Sequence, residues 1–219
     1  MRTDVWQKLH NDLDVGVQND QETYTAAIGG QTVLLPIRQL GDGARGVASL
    51  ILNQAGFCVL DRLAEALTAQ LAPYAPDVIV AVPTLGLPLA EGVARRLGHS
   101  RMVPLSNSRK FWYDEALSVD MSSITSPTAG KRLYLDPRMV PLLGGRVAVI
   151  DDVLSSGSSI SSVLRLLNTQ NIRPAVVGAA MLQGTAWKTH LRGIPVQGAI
   201  RTPVLQKTGT EWITPRDPA

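Results

Sequence analysis

At 219 residues, 45% of them hydrophobic and 18% charged, the chain can bury a substantial core, as one domain with elaborations or two small ones, and it does not read as disordered. Its 21 Lys and Arg against 18 Asp and Glu leave a formal net charge of +3, spread along the chain instead of stacked in runs, which excludes the basic-patch footprint of a nucleic-acid binder. A single cysteine, Cys58, excludes an intramolecular disulfide framework and fits a reducing compartment. The opening "MRTDVWQKLHNDLDVG" lacks the apolar core of a signal peptide, and no stretch approaches membrane-spanning length, so a cytoplasmic protein without membrane contact is expected. His10, His99 and His190 are too scattered to suggest a metal cluster.

In chain order, "FCVLDRLAEALTAQL" repeats apolar residues at helical spacing (Leu60, Leu63, Leu67, Leu71) and predicts a helix with one buried face. Cys58, at the start of this pattern, reads as a buried structural thiol. "APYAP" stops the helix, since proline cannot continue one. "DVIVAV" follows as a run of Val and Ile, the signature of a strand buried on both sides. After the turn "PTLG", "LPLAEGVARRLG" predicts a helix ending at Gly98 as a left-handed cap, and "RMVPLS" the next strand. Strand, turn, helix and strand make a parallel β-α-β unit.

The stretch "RKFWYDEALSVDMSSITSPTAGKRLYLD" breaks this rhythm with polar alternation at its ends and a Ser/Thr/Pro/Gly-rich middle, as in a long hairpin or mobile loop. "RVAVI" returns to a buried strand, and "SSISSVLRLLNTQ" to a helix with Ile160, Val163, Leu164 and Leu167 inward. "PAVVGAAML" is another strand and "VQGAI" a last short one. The alternation predicts an α/β fold, a doubly wound, mostly parallel sheet of about five strands.

The densest chemistry lies in "VAVIDDVLSSGSS", where Asp151 and Asp152 close a buried strand and a serine loop leads into a helix. Ligands of open parallel sheets bind beyond the carboxyl ends of the strands. A helix N-terminus behind a small-residue loop is a ready anion site, and Gly157 lets backbone approach a phosphate closely. Two carboxylates would repel that phosphate. They make sense if they meet another part of the same ligand, such as ribose hydroxyls or a magnesium ion. A helix cap in an ordinary turn is the plainer reading, but capping needs one acid and leaves the second unexplained. The loop lacks the Gly-Lys-Ser/Thr ending of a P-loop and the spaced glycines of a dinucleotide-binding turn.

This segment resembles the phosphoribosyl pyrophosphate (PRPP) motif of the type I phosphoribosyltransferases, in which an apolar strand, two acids, an apolar pair and a hydroxyl-rich loop follow one another. The resemblance covers roughly residues 77–200. It implies that Asp151 and Asp152 bind the ribose hydroxyls, and that Ser155, Ser156, Gly157, Ser158 and Ser159 wrap the 5-phosphate. Where many relatives carry Thr-Thr-Gly-Gly-Thr, this chain has Ser-Ser-Gly-Ser-Ser. "VPTLGLPLA" resembles the pyrophosphate loop, with Thr84, Leu85 and Gly86 presenting backbone amides, against a plain strand-to-helix turn. "SRKFWYDE" resembles the start of a flexible catalytic loop over 109–130, in which Arg109 and Lys110 neutralise departing pyrophosphate. Idle surface charge is the competing reading of those two residues.

The family implies displacement of magnesium-bound pyrophosphate from ribose C1 by a ring nitrogen, through an oxocarbenium-like transition state. Mg2+ is then the expected cofactor, PRPP and a nucleobase the expected partners, and a homodimer the expected assembly. A core over 58–182 would carry a hood built from segments 1–57 and 183–219. Hypoxanthine-guanine enzymes commonly place an acid inside the phosphate loop. The matching residue here is Ser155, which points to the adenine or xanthine branch, with orotate as an alternative. "SLILNQAGF" loosely resembles the hood of xanthine enzymes and makes Asn53 a candidate base contact, against a turn asparagine. In "QGTAWKTHLRG", Trp187 is a candidate ring platform, against core packing. A regulator that binds PRPP without turnover shares the fold; such proteins add a DNA-binding segment or basic surface, and residues 1–50 show neither.

Overall fold

A computed structural model describes residues 2–121 and 132–215. Its centre is a five-stranded parallel sheet of β6 (Val78–Ala81), β7 (Val103–Pro104), β10 (Val147–Leu154), β11 (Val176–Gln183) and β12 (Val196–Thr202), in the order β12-β11-β10-β6-β7. Numbered within the sheet, that order is 2-1-3-4-5, so chain direction across the sheet reverses between β6 and β10. Residues alternate between two cores, as a pleated strand requires. Ile79, Ala81, Ala148 and Ile150 face helices α1 (Phe57–Leu71) and α2 (Gly86–Arg96). Val80, Val147 and Val149 face helix α3 (Ser158–Asn168).

The helix over 57–71 forms where its apolar period places it, burying Val59, Leu63, Ala64, Leu67 and Leu71. Cys58 is exposed, contrary to the expectation of a buried thiol. It sits one position off the inward stripe that begins at Val59, and its Sγ reaches only the Gln7 carbonyl at 3.4 Å. In α3 the half-buried Leu164 yields its expected place to the buried Ser162 and Leu166. Gly98 adopts φ +83° after α2, as the left-handed cap requires.

The interrupting stretch is a hairpin at its base: β8 (Ser118–Asp120) pairs antiparallel with β9 (Arg132–Tyr134). Ser162 Oγ and Arg165 Nη2 donate to the Asp120 carbonyl and dock it on α3. Of the expected loop over 109–130, residues 122–130 lie outside those described.

The first 50 residues form strands that periodicity does not announce: β1 (Leu9–His10), β2 (Gly16–Val17), β3 (Thr23–Ile28), β4 (Gln31–Gln39) and β5 (Arg45–Ala48). With β13 (Val204–Thr208) and β14 (Glu211–Ile213) they make a second, antiparallel sheet in the order β14-β13-β5-β4-β3-β2, with β1 on β4. Val204 pairs with Val47, so both ends of the chain build this roof. The chain leaves the parallel sheet at Pro203, later than the expected boundary at 183, because β12 pairs in parallel with β11 through Thr202. Among the described residues no helix is long and apolar enough to cross a membrane.

Candidate active site

Beyond the carboxyl end of β10 lies a cleft of about 560 Å³, floored by residues 151–160 and the turn 183–186 and roofed by Leu40, Arg45, Val47 and Val204. It therefore sits beside the switch point of the parallel sheet, where a ligand has strand ends and helix N-termini around it. Ile150 and Val153 both pack toward α1 and α2 though three residues apart, so strict alternation breaks across Asp151 and Asp152. Asp151 is only 4% exposed, and its Oδ1 accepts the Asp152 amide at 2.8 Å. Burial, reinforced by the neighbouring Asp152 charge, holds the Asp151 carboxyl well above its ordinary range.

That shift has a sign. A carboxyl whose folded value is raised favours the native state below its unfolded value, near pH 4, and loses that contribution as pH rises through the folded value. Replacing Asp151 with Asn removes the charge and keeps an oxygen for the Asp152 amide. Asp151→Asn is expected to raise the Tm of the unliganded protein at pH 7, by about 2–4 °C per kcal/mol relieved, with the difference closing toward about pH 4. Thermal unfolding across pH 4–8 checks this; an equal or lower Tm at pH 7 contradicts it.

After the acids the chain turns into α3 through Ser155 to Ser159, and all five residues line the cleft. Gly157 is the N-cap at φ +86°, and a Cβ there would meet His190 Cδ2 at 2.7 Å and the Trp187 Cα at 3.0 Å. Glycine offers no capping side chain, and the amides of Ser159 and Ile160 have no backbone or side-chain partner among the described residues. Ser156 Oγ and Ser158 Oγ stand 3.0 Å apart. Free amides and hydroxyls at the positive end of an 11-residue helix suit a phosphate.

Thr84, Leu85 and Gly86 follow β6, the neighbour of β10 across the switch point, and the Pro83–Thr84 peptide bond is cis. Thr84 is exposed and Gly86 buried. A Cβ on Gly86 would lie 3.1 Å from the Asp151 Cα and the Ile150 carbonyl, so the start of α2 is pressed against the acidic strand end. Arg109 and Lys110 are exposed on the segment before the hairpin and do not line the cleft; Arg109 Nε pairs with Glu115 Oε1 at 3.0 Å.

Asn53 is exposed on a short 3-10 turn and stands outside the cleft. Trp187 is 6% exposed, packs in the core on the α3 side and donates Nε1 to the Gly184 carbonyl at 3.0 Å. The roof residues Leu40, Arg45, Val47 and Val204 escape a reading of local motifs, because long-range pairing brings them over the site. Gln183 had a visible signal: it is a polar residue ending a wholly buried strand.

Among the described residues no group of three or more His, Cys, Asp or Glu side chains converges as a metal-ligand set. The donor set at the strand end is instead two adjacent carboxylates, one of them buried. A larger depression of about 730 Å³ lies around Trp6, Arg38, Lys207 and Trp212 on the roof sheet, and no residue singled out from the motifs lines it.

Residues 47–191 match the phosphoribosyl transferase domain family. The chain is 33% identical over 130 residues to a hypoxanthine/guanine phosphoribosyltransferase of Methanosalsum zhilinae, covering 58% of this chain and 64% of that protein. It is 35% identical over 114 residues to an adenine phosphoribosyltransferase of Rhodococcus jostii, covering 52% and 60%. The chain thus spans less than two thirds of the length of these relatives. The crystal structure of adenine phosphoribosyltransferase from Rhodothermus marinus superposes with a TM-score of 0.55 at 17% identity, over 84% of this chain and 95% of that one. That from Thermoanaerobacter pseudethanolicus gives 0.54 at 19%, over 66% and 80%. At such identities the likeness is one of fold alone.

Proposed function

Because the chain belongs to the phosphoribosyl transferase domain family, we propose that it transfers the 5-phosphoribosyl group of PRPP to a ring nitrogen of a purine base and releases pyrophosphate. One observation carries this reading: a paired-acid strand end and an uncapped helix N-terminus share one roofed cleft. The Ser155–Ser159 loop holds the 5-phosphate through free amides and hydroxyls. Asp151 and Asp152, on the floor of the same cleft, accept the ribose hydroxyls. The backbone of Thr84, Leu85 and Gly86, which does not line the cleft but starts across the switch point from the acids, is read as the contact for pyrophosphate.

As the base nitrogen bonds to C1, the C1–oxygen bond to pyrophosphate breaks, positive charge builds on the sugar and negative charge on the leaving group. Arg109 and Lys110 neutralise the latter when the segment that carries them closes on the cleft. Rate then rests on electrostatic placement and exclusion of water, with no covalent nucleophile. Magnesium bound to PRPP screens the pyrophosphate charge. The two carboxylates fit such an ion carried in by the substrate better than a resident one, since no third ligand stands beside them among the described residues. We read the antiparallel sheet, drawn from residues 1–57 and the end of the 183–219 segment, as the hood over the base, and the working unit as a cytoplasmic homodimer.

Ser155, in place of a loop acid, supports a base of the adenine or xanthine type. A 6-oxopurine is the second reading, favoured by the hypoxanthine/guanine activity named for the Methanosalsum zhilinae relative. Labelled PRPP incubated with magnesium and each of adenine, xanthine, hypoxanthine, guanine and orotate separates these readings. Nucleotide from adenine or xanthine is the expected result. Nucleotide only from hypoxanthine or guanine selects the second reading, and orotate alone moves the enzyme out of purine chemistry. PRPP binding without turnover of any base makes the protein a PRPP-responsive binder.

A further inference from the structure

The depression of about 730 Å³ on the roof sheet takes no part in the chemistry above, and its charged wall is unbalanced. Arg38 of β4 and Lys207 of β13 are exposed on it, and neither forms an ion pair among the described residues. Arg2 also lines it but is held by Asp4 and Asp20. Glu22, the one carboxylate on this wall among the described residues, pairs with neither free cation. The rest of the wall offers apolar surface from the half-buried Ile37, Ile51 and Trp212. Trp212 is fixed in place: its amide donates to Gln21 Oε1 at 2.6 Å, and a Cβ on Gly46 would meet its ring at 2.8 Å. The exposed Gln54 side-chain amide makes no hydrogen bond among the described residues and keeps both a donor and an acceptor. Trp6 and Gln21, with φ +62° and +57°, are two of the four non-glycine residues in the left-handed region among the described residues, and both line this depression. Such backbone is uncommon for a bulky residue and gathers where ligands are clamped; Trp6 is held in it by Nε1 donating to the Ser49 carbonyl at 2.8 Å.

We propose that this depression is a second ligand site, separate from the cleft, and that it takes a nucleoside phosphate. Arg38 and Lys207 meet the phosphates as charge-assisted donors with no carboxylate to release first. The flat base lies along the apolar surface of Ile37, Ile51 and Trp212, and the Gln54 amide reads its edge. The volume lies within the range of small-molecule sites. A bare inorganic anion would leave the apolar wall in water, and an uncharged ring would leave both cations unmatched, so the ligand class carries both parts. No residue lines both the depression and the cleft, and the inference does not rest on the phosphoribosyltransferase reading. The two hollows meet only across β5, where the Trp212 ring presses on Gly46 and the flanking Arg45 and Val47 line the cleft.

Calorimetric titration with ATP, GTP, tripolyphosphate, adenosine and guanosine tests the site, on wild type and three variants. ATP or GTP is expected to bind wild type, with tripolyphosphate and the nucleosides weaker by about 10-fold or more. The double variant Arg38→Ala, Lys207→Ala should lose about 10-fold or more in nucleotide affinity, whereas Arg38→Lys, which keeps the charge, should stay within about threefold. Both side chains are exposed, so the double variant should keep the wild-type Tm within about 2 °C. Asp152→Asn, altered in the cleft, should bind the nucleotide within about twofold of wild type. Absence of nucleotide binding up to about 1 mM overturns the proposal, as does affinity retained in the double variant. Affinity lost in Asp152→Asn would put the nucleotide in the cleft and overturn it too. Tripolyphosphate that binds as tightly as the nucleotides would leave an anion patch only and overturn the ligand class.

Discussion

Asp152→Asn is expected to weaken magnesium-PRPP binding by about 10- to 150-fold while the protein stays folded. Asp152 is half-buried at the mouth of the cleft, so the substitution buries no new group and leaves the core intact. What it removes, on the proposed reading, is a carboxylate that accepts from sugar hydroxyls, a charge-assisted contact worth about 1.5–3 kcal/mol. Asp151 cannot compensate, because burial and the adjacent charge oppose its ionisation. Titration calorimetry reads the affinity directly, and an unchanged Kd would detach the acidic pair from the ribose. The contrast with Asp151→Asn is informative, since one acid of the pair is expected to limit stability and the other affinity.

Gly157→Ala is expected to cost far more than Gly98→Ala, although the two glycines hold nearly the same φ, +86° and +83°. A methyl at Gly98 meets nothing within 4 Å, so that variant reports the left-handed penalty alone, about 1–2 kcal/mol. At Gly157 the methyl would stand 2.7 Å from the His190 ring and 3.0 Å from the Trp187 backbone, and only the ring can swing aside. Relief must come from the loop, which adds overpacking of about 1–3 kcal/mol and pulls the free amides out of line. Thermal unfolding of both variants, with PRPP titrations, makes the comparison. Gly98→Ala should bind as wild type, and Gly157→Ala should lose most of its affinity. Equal losses of stability and no loss of binding would mean that the loop geometry is not what holds the phosphate.

The parallel sheet was legible because its strands are buried on both faces, which leaves uninterrupted runs such as Val78–Ala81 and Val147–Ile150. The floor of the cleft was legible for a related reason: the acids, the glycine and the serines are contiguous, so one short stretch lines it. The roof was not. Its longest strand, Gln31–Gln39, holds Pro36, which argues locally against a strand, and β1 and β2 are two residues each, too short for any period. Arg45, Val47 and Val204 acquire meaning only from a pairing between distant segments. Cys58 shows the resolution of a helical pattern, where a slip of one position turns a side chain from core to solvent.

The pairing of Val47 with Val204 also sets an order of events during synthesis. Strand β5 leaves the ribosome early and pairs with its neighbour β4, but its other edge has no partner until the chain has grown by roughly 150 residues more, a closure whose entropy must be met before any contact rewards it. The parallel sheet, whose strands lie between residues 78 and 202, can be complete while the antiparallel sheet above it is still partial. A nascent chain therefore passes through a stage with its serine loop formed and an unpaired strand edge exposed, the kind of edge that recruits foreign strands. The last dozen residues of the described chain, β13 and β14, end that exposure.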